Sequence, residues 1–484
     1  MLPTISSALQ QANAVQLTDP LDDTGARRPH GSEPIKKLGK MALEQARPLA
    51  ERFIHFVNKT GSPYHSVQAI KEILTAAGFE ELQERTSWKM TRGGKYLVTR
   101  NDSCIAAIVV GENFTKESHG GFCVTATHSD SPCLRLRPRA FAEKEGYHMG
   151  SVECYGGGLW HTWLDRGLGM AGKVVLRKEN KVIERLLRFE RPLFYVPNLA
   201  IHLQTAEEIG AFKINKENHL QPVLCSAIAD QLGTASSNSD DSPKTAEQRL
   251  PPALARLVGK TLGMPDAALL DWDFCLMDAT PSRISGIYEE FIESPRLDNL
   301  ASTFAAFEAL VDASSGKECD QQCAGREDIL MAVAFDHEEI GSQSLSGANS
   351  SLLETWMQRC LRALDCESDF FEILAKSFLG VVIKENANQN YASNASTMAF
   401  VRLIANEANV PVQDFVVRND SRCGGTVGAM LSARLGVRTV DIGIPQWAMH
   451  SCREICGVTD LMYLQKLLKH PRREAAPAAK VAML

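Results

Sequence analysis

Three short runs of β-branched and apolar residues along this chain each lead to side chains that commonly bind metal ions. The runs cover residues 122–127, 328–335 and 440–443, and they lead to His128 and Asp130, to Glu338 and Glu339, and to His450. A buried strand that delivers polar groups at its carboxyl end is typical of an α/β active site. The pattern therefore predicts an α/β protein whose site lies at one edge of a sheet.

The length of the chain predicts more than one domain. Its 484 residues exceed what a single hydrophobic core usually serves. Residues 1–38 have little apolar periodicity and are predicted to form a mobile extension. Residues 136–290 contain a glycine-rich turn and short β-like runs, which predict a β-rich domain inserted between two parts of a catalytic domain, 39–135 and 291–484. The expected fold class is a mixed-sheet α/β/α domain with this insertion.

The composition argues against nucleic acid and membranes as partners. The net charge is -6, so the chain has no excess of positive charge to attract either one. No apolar run reaches the roughly 18 to 20 residues that span a bilayer, and the N-terminus lacks the pattern of a secretion signal. The 13 cysteines have no framework spacing. We therefore expect reduced thiols and a cytoplasmic location, although other reducing compartments fit the sequence equally.

Two of the polar segments are ambiguous when each is taken alone. His128 and Asp130 are two residues apart, which keeps both side chains on one side of an extended segment. The carboxylate can then support a metal-binding histidine, but a simple turn explains the same residues. Asp298 precedes a strongly helical run over 300–311, where it fits either a ligand or an N-cap.

The other two segments have equally plain alternatives. Glu338 and Glu339 are consecutive after a buried strand, so both side chains cannot point into the core. One can coordinate a metal ion while the other acts as general base, or the pair can be a solvated acidic turn. His450 is either a ligand or a half-buried histidine with satisfied hydrogen bonds.

The order of the four segments is more specific than any one of them. Histidine, aspartate, two glutamates and histidine across one α/β framework is the arrangement of co-catalytic dizinc aminopeptidases. In such a site a bridging carboxylate holds two metal ions roughly 3.5–4 Å apart, and the ions hold a water between them. The sequence thus predicts a hydrolase of the metallo-aminopeptidase type.

The chain resembles the aspartyl aminopeptidase family from about residue 40 to 465, over long motifs that occur in the family's order. The motifs are THSDSPCLRL (127–136), YGGGLWHTWLDR (155–166), VPNLAIHLQ (196–204), SPRLDNLAS (294–302), DHEEIGSQS (336–344), NYASNAS (390–396), VRNDSRCGGTVG (417–428) and PQWAMHSCRE (445–454). The resemblance implies an aminopeptidase that removes N-terminal Asp or Glu from short peptides.

The resemblance also implies two Zn²⁺ ions per subunit, which Mn²⁺ or Co²⁺ can replace. His128 is then a ligand of one ion, Asp298 bridges both ions, and Glu339 and His450 bind the other ion. Glu338 is implied as the general base.

The same resemblance implies roles for further residues. Asp130 is a carboxylate that supports His128 without binding the metal itself. Lys384 pairs with the acidic side chain of the substrate, and Tyr391 lies near the scissile carbonyl. For Lys384, a solvated lysine is the alternative.

The resemblance also implies a role in assembly for the inserted domain. It implies that this domain forms dimers, and that the dimers build a homo-oligomer, a tetrahedral dodecamer. His202 reaches the active site of the neighbouring subunit, or else it is a core histidine on an amphipathic strand.

One family segment is absent from this sequence. In the family, a stretch between the motifs SFL and VIK carries an aspartate that completes the ligands of the metal held by His128. Here Leu379 is followed directly by Gly380 and Val381. Catalytic zinc sites normally supply three protein ligands, so the second metal site is incomplete. A gene-model error, a natural isoform and a catalytically impaired relative all explain the gap.

Overall fold

The computed structural model describes residues 33–118, 120–234, 249–264, 267–315, 325–367, 370, 373, 378–381, 383–421 and 423–470. Residues 1–32 of the predicted extension lie outside these ranges. Residues 33–38 belong to a helix instead, so that part of the predicted boundary is wrong. Pro34 lies in the first turn of this helix, where a missing amide hydrogen costs nothing.

Ten α-helices are present within the described residues: α1 Glu33–Lys59, α2 Pro63–Ala76, α3 Ala206–Ala211, α4 Ala227–Thr234, α5 Pro252–Leu262, α6 Leu297–Ala313, α7 Leu352–Ala363, α8 Ala395–Glu407, α9 Val427–Leu435 and α10 Val458–Lys469. Short 3-10 turns occur at Trp160–Trp163, Ile201–Leu203 and Glu338–Ile340. None of the described helices is long and apolar enough to cross a bilayer.

The described strands fall into a central sheet, a barrel and two smaller sheets. They are β1 Glu80–Glu81, β2 Lys95–Arg100, β3 Cys104–Val110, β4 Phe122–His128, β5 Cys133–Lys144, β6 Tyr147–Tyr155, β7 Gly167–Lys178, β8 Lys181–Tyr195, β9 Val223–Ser226, β10 Ala267–Asp278, β11 Arg283–Ser285, β12 Phe291–Ser294, β13 Ile329–Phe335, β14 Phe378–Val381, β15 Lys384–Glu385, β16 Phe415–Val416, β17 Arg438–Asp441, β18 Gln446–Trp447 and β19 Glu454–Gly457.

The central sheet has the strand order β1-β2-β3-β13-β4-β14-β17 and is mixed. Strand β3 is antiparallel to β2 and β13, whereas β13, β4, β14 and β17 run parallel. Alternate residues of β3 face opposite layers: Ala106 and Ile108 pack towards α7 and α9, and Ile105 and Ala107 towards α1, α2, α6 and α10. Because both faces are covered, β3 and β13 are apolar almost throughout. The mixed-sheet α/β prediction is confirmed.

The second body is a closed barrel of six strands in the order β10-β5-β6-β9-β8-β7. It has its own apolar core, which includes Leu134, Val174 and Phe274. The barrel strands begin at Cys133 and end at Asp278, whereas the sequence predicted an insertion over 136–290. Strand β11 pairs with β12, which pairs with β19 near the site, so the last part of that predicted range does not belong to the barrel.

A buried ion cluster joins the barrel to the sheet that contains β19. Arg453 donates to Asp278 at the end of β10, to Glu293 of β12 and to the carbonyl of Pro281. The Asp278 side chain is fully buried and also pairs with Arg166. Burying these charges is tolerable only because each of them is paired, which makes the junction sensitive to the loss of one partner.

We expect Arg453→Met to lower the free energy of unfolding by about 3 kcal/mol, because it leaves Asp278 and Glu293 short of a buried partner. The matched control is Arg402→Met, which removes an exposed pair with Asp414 and is expected to cost less than about 1 kcal/mol. Urea unfolding monitored by tryptophan fluorescence measures both values. Equal losses in the two variants would contradict the structural role of the cluster.

Candidate active site

The central sheet brings two of the polar segments to one edge. Strands β4 and β13 are parallel and in register, with Phe335 opposite His128. Both strands therefore end at the same level. His128 is the last residue of β4, and Glu338 and Glu339 form a 3-10 turn just after β13.

Asp298 lies between the two predicted histidine ligands. Its Oδ1 is 3.4 Å from His128 Nε2, and its Oδ2 is 3.2 Å from His450 Nε2. The residue falls in the first turn of α6 but has non-helical backbone angles, φ -82° and ψ 109°. Its side chain is therefore turned to the two histidines, which is the arrangement a bridging carboxylate requires.

Each of the two glutamates faces a different histidine. Glu338 Oε2 is 3.7 Å from His128 Nε2, and Glu339 Oε2 is 3.4 Å from His450 Nε2. The second carboxylate oxygen of Glu339 is buried and has no hydrogen-bond partner. A buried oxygen without a donor is unfavourable, and a cation bound there would remove the penalty.

Asp130 holds the glutamate turn and His128 together. One of its oxygens lies 3.3 Å from His128 Nδ1 and accepts from the backbone N–H of Glu338 at 3.2 Å. The other oxygen accepts from the backbone N–H of Glu339 at 3.2 Å and from the Tyr155 hydroxyl at 2.6 Å. With these contacts Asp130 fixes the ring of His128 and the position of both glutamates.

Glu454 does the same for the other half of the site, and the sequence analysis missed it. Its two oxygens accept from the backbone N–H of His450 at 2.7 Å and from that of Asp298 at 3.1 Å. The ring of His450 is fixed from its other side, where Nδ1 lies 3.2 Å from the carbonyl oxygen of Gly157. The signal was present in the sequence as the last residue of the PQWAMHSCRE motif.

The charges of the site shift the pKa values of its groups strongly. Burial and the neighbouring Asp298 raise the pKa of Glu339 to about 9. Burial and Asp298 also raise the pKa of Glu454 to about 8. The hydrogen bond to Asp298 raises the pKa of His450 to about 9, although burial opposes this. More carboxylates meet here than two histidines neutralise, so the site favours added cations.

The residues of the site fit zinc. Two groups have ligand atoms within 4.8 Å of one another, namely Asp298 with Glu339 and His450, and His128 with Glu338 and Glu339. Imidazole nitrogen and carboxylate oxygen are both good zinc ligands. The first group supplies three ligands, all of which the sequence analysis predicted as metal ligands. The His128 half has only Asp298 and the glutamates to complete it.

Strand β14 explains why the half of the site around His128 has fewer candidate metal ligands. It is the parallel neighbour of β4 and pairs through Phe378 with Cys123 and through Leu379 with Val124. The sequence from Phe378 to Ile383 contains no carboxylate, and the next residue is Lys384. Strand β14 therefore contains no acidic residue, and Lys384 belongs to the separate short strand β15, which pairs with β16.

A cavity of about 480 Å³ opens beside the metal-ligand cluster. Its lining includes Lys384, Tyr391 and the glycine-rich start of α9. Tyr391 is buried, and Lys384 Nζ lies 5.6 Å from the centre of its ring. Among the residues that the structure describes, no carboxylate is within salt-bridge distance of Lys384 Nζ. Glu338 and Asp441 are near enough to interact electrostatically with Lys384 but form no direct ion pair with it. A half-buried cation with no direct ion pair beside a cavity suits an anionic ligand.

His202 is the one predicted site residue that lies apart from this cluster. It is exposed on the Ile201–Leu203 turn beyond the last barrel strand preceding it. The alternative of a core histidine on a strand is therefore wrong. Its predicted role in the active site of a neighbouring subunit stays a prediction.

Comparison with known proteins agrees with the geometry. The family model described as aminopeptidase I zinc metalloprotease (M18) matches residues 56–379 and 379–470, and the two stretches meet where the sequence analysis predicts a missing family segment. Aspartyl aminopeptidase 1 of Schizosaccharomyces pombe is 39% identical over 458 residues, covering 88% of this chain and 94% of that protein.

Solved structures give the same result. The cryo-EM structure of the Ape4 and Nbr1 complex contains a chain with a TM-score of 0.82 and 37% identity, over 89% of this chain and 86% of that one. The mApe1 dodecamer of S. cerevisiae has a TM-score of 0.71 at 25% identity, over 87% of this chain and 95% of that one. The chain belongs to the M18 family of zinc aminopeptidases. The resemblance to aspartyl aminopeptidases and the prediction of an enzyme are confirmed.

We expect Glu454→Gln to weaken zinc binding by about 10- to 100-fold, the usual effect of losing a group that orients metal ligands. Glutamine keeps one acceptor oxygen, but its NH₂ group would face a backbone N–H donor. Competition with a chromophoric chelator measures the affinity. Glu72→Gln, which removes an exposed contact with Lys59, is the control. If Glu454→Gln binds zinc with wild-type affinity, the contacts of Glu454 with the backbone of His450 and Asp298 are unimportant for metal binding.

Proposed function

We propose that this M18 protein removes N-terminal Asp or Glu from short peptides by metal-assisted hydrolysis. The observation that carries the proposal is Lys384, a cation without a carboxylate partner among the described residues, in the cavity beside the Asp298 cluster. The relatives named aspartyl aminopeptidases support the acidic preference.

In this proposal Asp298, Glu339 and His450 would hold one Zn²⁺ ion. His128 and Asp298 would offer a second, weaker position, and Mn²⁺ or Co²⁺ could replace Zn²⁺. When bound, the metal polarises the scissile carbonyl and lowers the pKa of water, which are its usual contributions to hydrolysis.

Glu338 is the proposed general base. Burial raises its pKa above the ordinary value for glutamate, which makes the carboxylate a better proton acceptor. It takes a proton from the attacking water and passes it to the leaving amine. Asp130 holds the backbone of Glu338, so the carboxylate stays at the edge of the cavity. Tyr391, which lines the cavity, lies near the scissile carbonyl in this arrangement.

Two features of the cavity suit an acidic side chain. Lys384 supplies a charge for a carboxylate. The amino end of α9, with Gly424 and Gly425 before it, lines the same cavity, and a helix start favours anions. Asp441 also lines the cavity, but it is buried and accepts from the backbone N–H of Ala392. Asp441 also interacts electrostatically with Lys384, but no direct ion pair joins them, so Lys384 is the proposed charged partner of the substrate carboxylate.

The proposal extends to assembly. The dodecamer formed by S. cerevisiae mApe1 supports a homo-oligomer of this chain, built from dimers through the barrel domain. His202 is exposed on a turn outside the barrel strands, so it is free to reach a neighbouring subunit. A cytoplasmic location accords with buried thiols such as Cys104, Cys360 and Cys456, which form no disulfide.

A second candidate function is a catalytically impaired subunit that retains assembly or peptide binding. The observation that favours it is β14, whose sequence brings no carboxylate to His128. Both candidates share the fold and the His450 half of the site. They differ in whether the purified chain turns over substrate.

The test compares peptides that begin with Asp and with Leu. Wild-type protein is expected to release Asp in a chelator-sensitive reaction. Lys384→Ala is expected to lower kcat/KM for the Asp peptide by about ten- to a hundredfold, the value of one charge-assisted hydrogen bond, and to change the Leu peptide little. Lys59→Ala, on the exposed surface of α1, is the control.

Two outcomes count against the proposal. If Lys384→Ala lowers both activities equally, the acidic preference is wrong although the aminopeptidase assignment stands. If wild-type protein loaded with Zn²⁺, Mn²⁺ or Co²⁺ hydrolyses neither peptide, the impaired-subunit candidate is correct.

A further inference from the structure

A second group of metal-ligand side chains lies in the barrel, away from the candidate active site. His148 of β6 and Cys225 of β9 are direct partners across an antiparallel pair. Side chains at such positions leave the same face of the sheet about 4.5–5.5 Å apart at Cβ. A backbone irregularity between His148 and Met149 follows immediately, and such irregularities often re-aim side chains.

Asp230 completes the group from helix α4. The chain passes from β9 directly into α4, which carries the carboxylate back over the strand pair. Asp230 Oδ2 is 3.3 Å from His148 Nδ1, and both side chains are about nine-tenths buried. Ligand atoms of His148, Cys225 and Asp230 all lie within 4.8 Å of one another.

A buried atom in this group lacks a hydrogen bond. Despite its nearness to Asp230, His148 Nδ1 has no hydrogen-bond partner of acceptable geometry. Leaving a buried polar atom unsatisfied costs about 1–3 kcal/mol. A metal ion held jointly by His148 and Asp230 would satisfy it, because coordination uses the nitrogen lone pair and does not need a donor hydrogen.

The outer contacts of the group resemble those that orient metal ligands. Arg256 donates to the other oxygen of Asp230 and so fixes the carboxylate. Glu143 lies 3.9 Å from His148 Nε2, the ring nitrogen on the opposite side from Asp230. The ring of Phe141 packs edge-on against that of His148 at 5.2 Å between centres. Carboxylates behind a ligating histidine are the usual support in metal sites.

We propose that His148, Cys225 and Asp230 form a separate binding site for a divalent transition-metal ion, of which Zn²⁺ fits best. Nitrogen, thiolate and carboxylate are all zinc ligands, and three of them leave a fourth position for water. The charges of a divalent ion and Arg256 balance those of Asp230, Glu143 and a Cys225 thiolate. Binding displaces the thiol proton to solvent, so one proton is released for each ion bound at Cys225.

The site can be tested by cobalt substitution, because the active-site groups offer only nitrogen and oxygen ligands. Metal-free, full-length protein is titrated with CoCl₂ under reducing conditions. A thiolate-to-cobalt charge-transfer band in the near ultraviolet is expected, and its intensity is expected to saturate when one Co²⁺ ion per chain is bound at the His148 site. Co²⁺ bound at Asp298, Glu339 and His450 does not produce such a band.

Three variants assign the band. Cys225→Ser is expected to abolish it, whereas Cys154→Ser, another half-buried cysteine of the barrel, is expected to retain it. His148→Gln keeps the thiol and is expected to weaken Co²⁺ binding at least about tenfold. Circular dichroism and zinc binding at the active site report folding of each variant. The proposal is overturned if wild-type protein shows no band, or if the band persists in Cys225→Ser.

Discussion

The sharing of one carboxylate between two histidines organises this protein. Asp298 reaches both His128 and His450 only because its backbone leaves the helical conformation at the start of α6. That position is maintained from outside, since the Ser131 hydroxyl donates to the Asp298 carbonyl and Glu454 accepts from its N–H. Ser131 lies just after β4 of the central sheet, whereas Glu454 is the first residue of β19, which belongs to a different sheet. Site geometry therefore depends on how the sheets are joined.

The two halves of the site are unequal for a reason that lies in the sheet. In a run of parallel strands, neighbouring strands deliver their next residues to the same edge. Beside β4, strand β14 contains no acidic residue, and Lys384 follows in the short strand β15 of another sheet. In the proposed function, the His128 half therefore has fewer ligands, and Lys384 in the cavity is the cation for an acidic substrate. The His450 half is untouched, because its ligands come from α6, from the turn after β13 and from the loop before β19.

The sequence predicted the strand ends, since an apolar run that ends in ligand residues is a local pattern. It therefore singled out His128 and Glu339 as candidates at strand ends of the central sheet. The structure brings them close to His450, which lies in the loop between β18 and β19 of a different sheet and not directly after the predicted strand. The sequence analysis missed Glu454 because this residue acts only by accepting hydrogen bonds from two backbone N–H groups. One belongs to Asp298, which is distant in the chain, and the other to His450, which lies in a nearby turn. No local periodicity reports such contacts. The closure of the barrel and the facing of His148 with Cys225 were equally invisible, because both depend on the register of non-local strand pairs.

In the proposed site, Asp298 would bridge two metal positions of unequal affinity. Crystals grown with a limiting amount of Zn²⁺ and measured at the zinc absorption edge test it directly through anomalous difference peaks. We expect a strong peak bounded by Asp298, Glu339 and His450, and a clearly weaker peak between His128 and Asp298. A peak near His128 as strong as the other, or no peak beside His450, would contradict it.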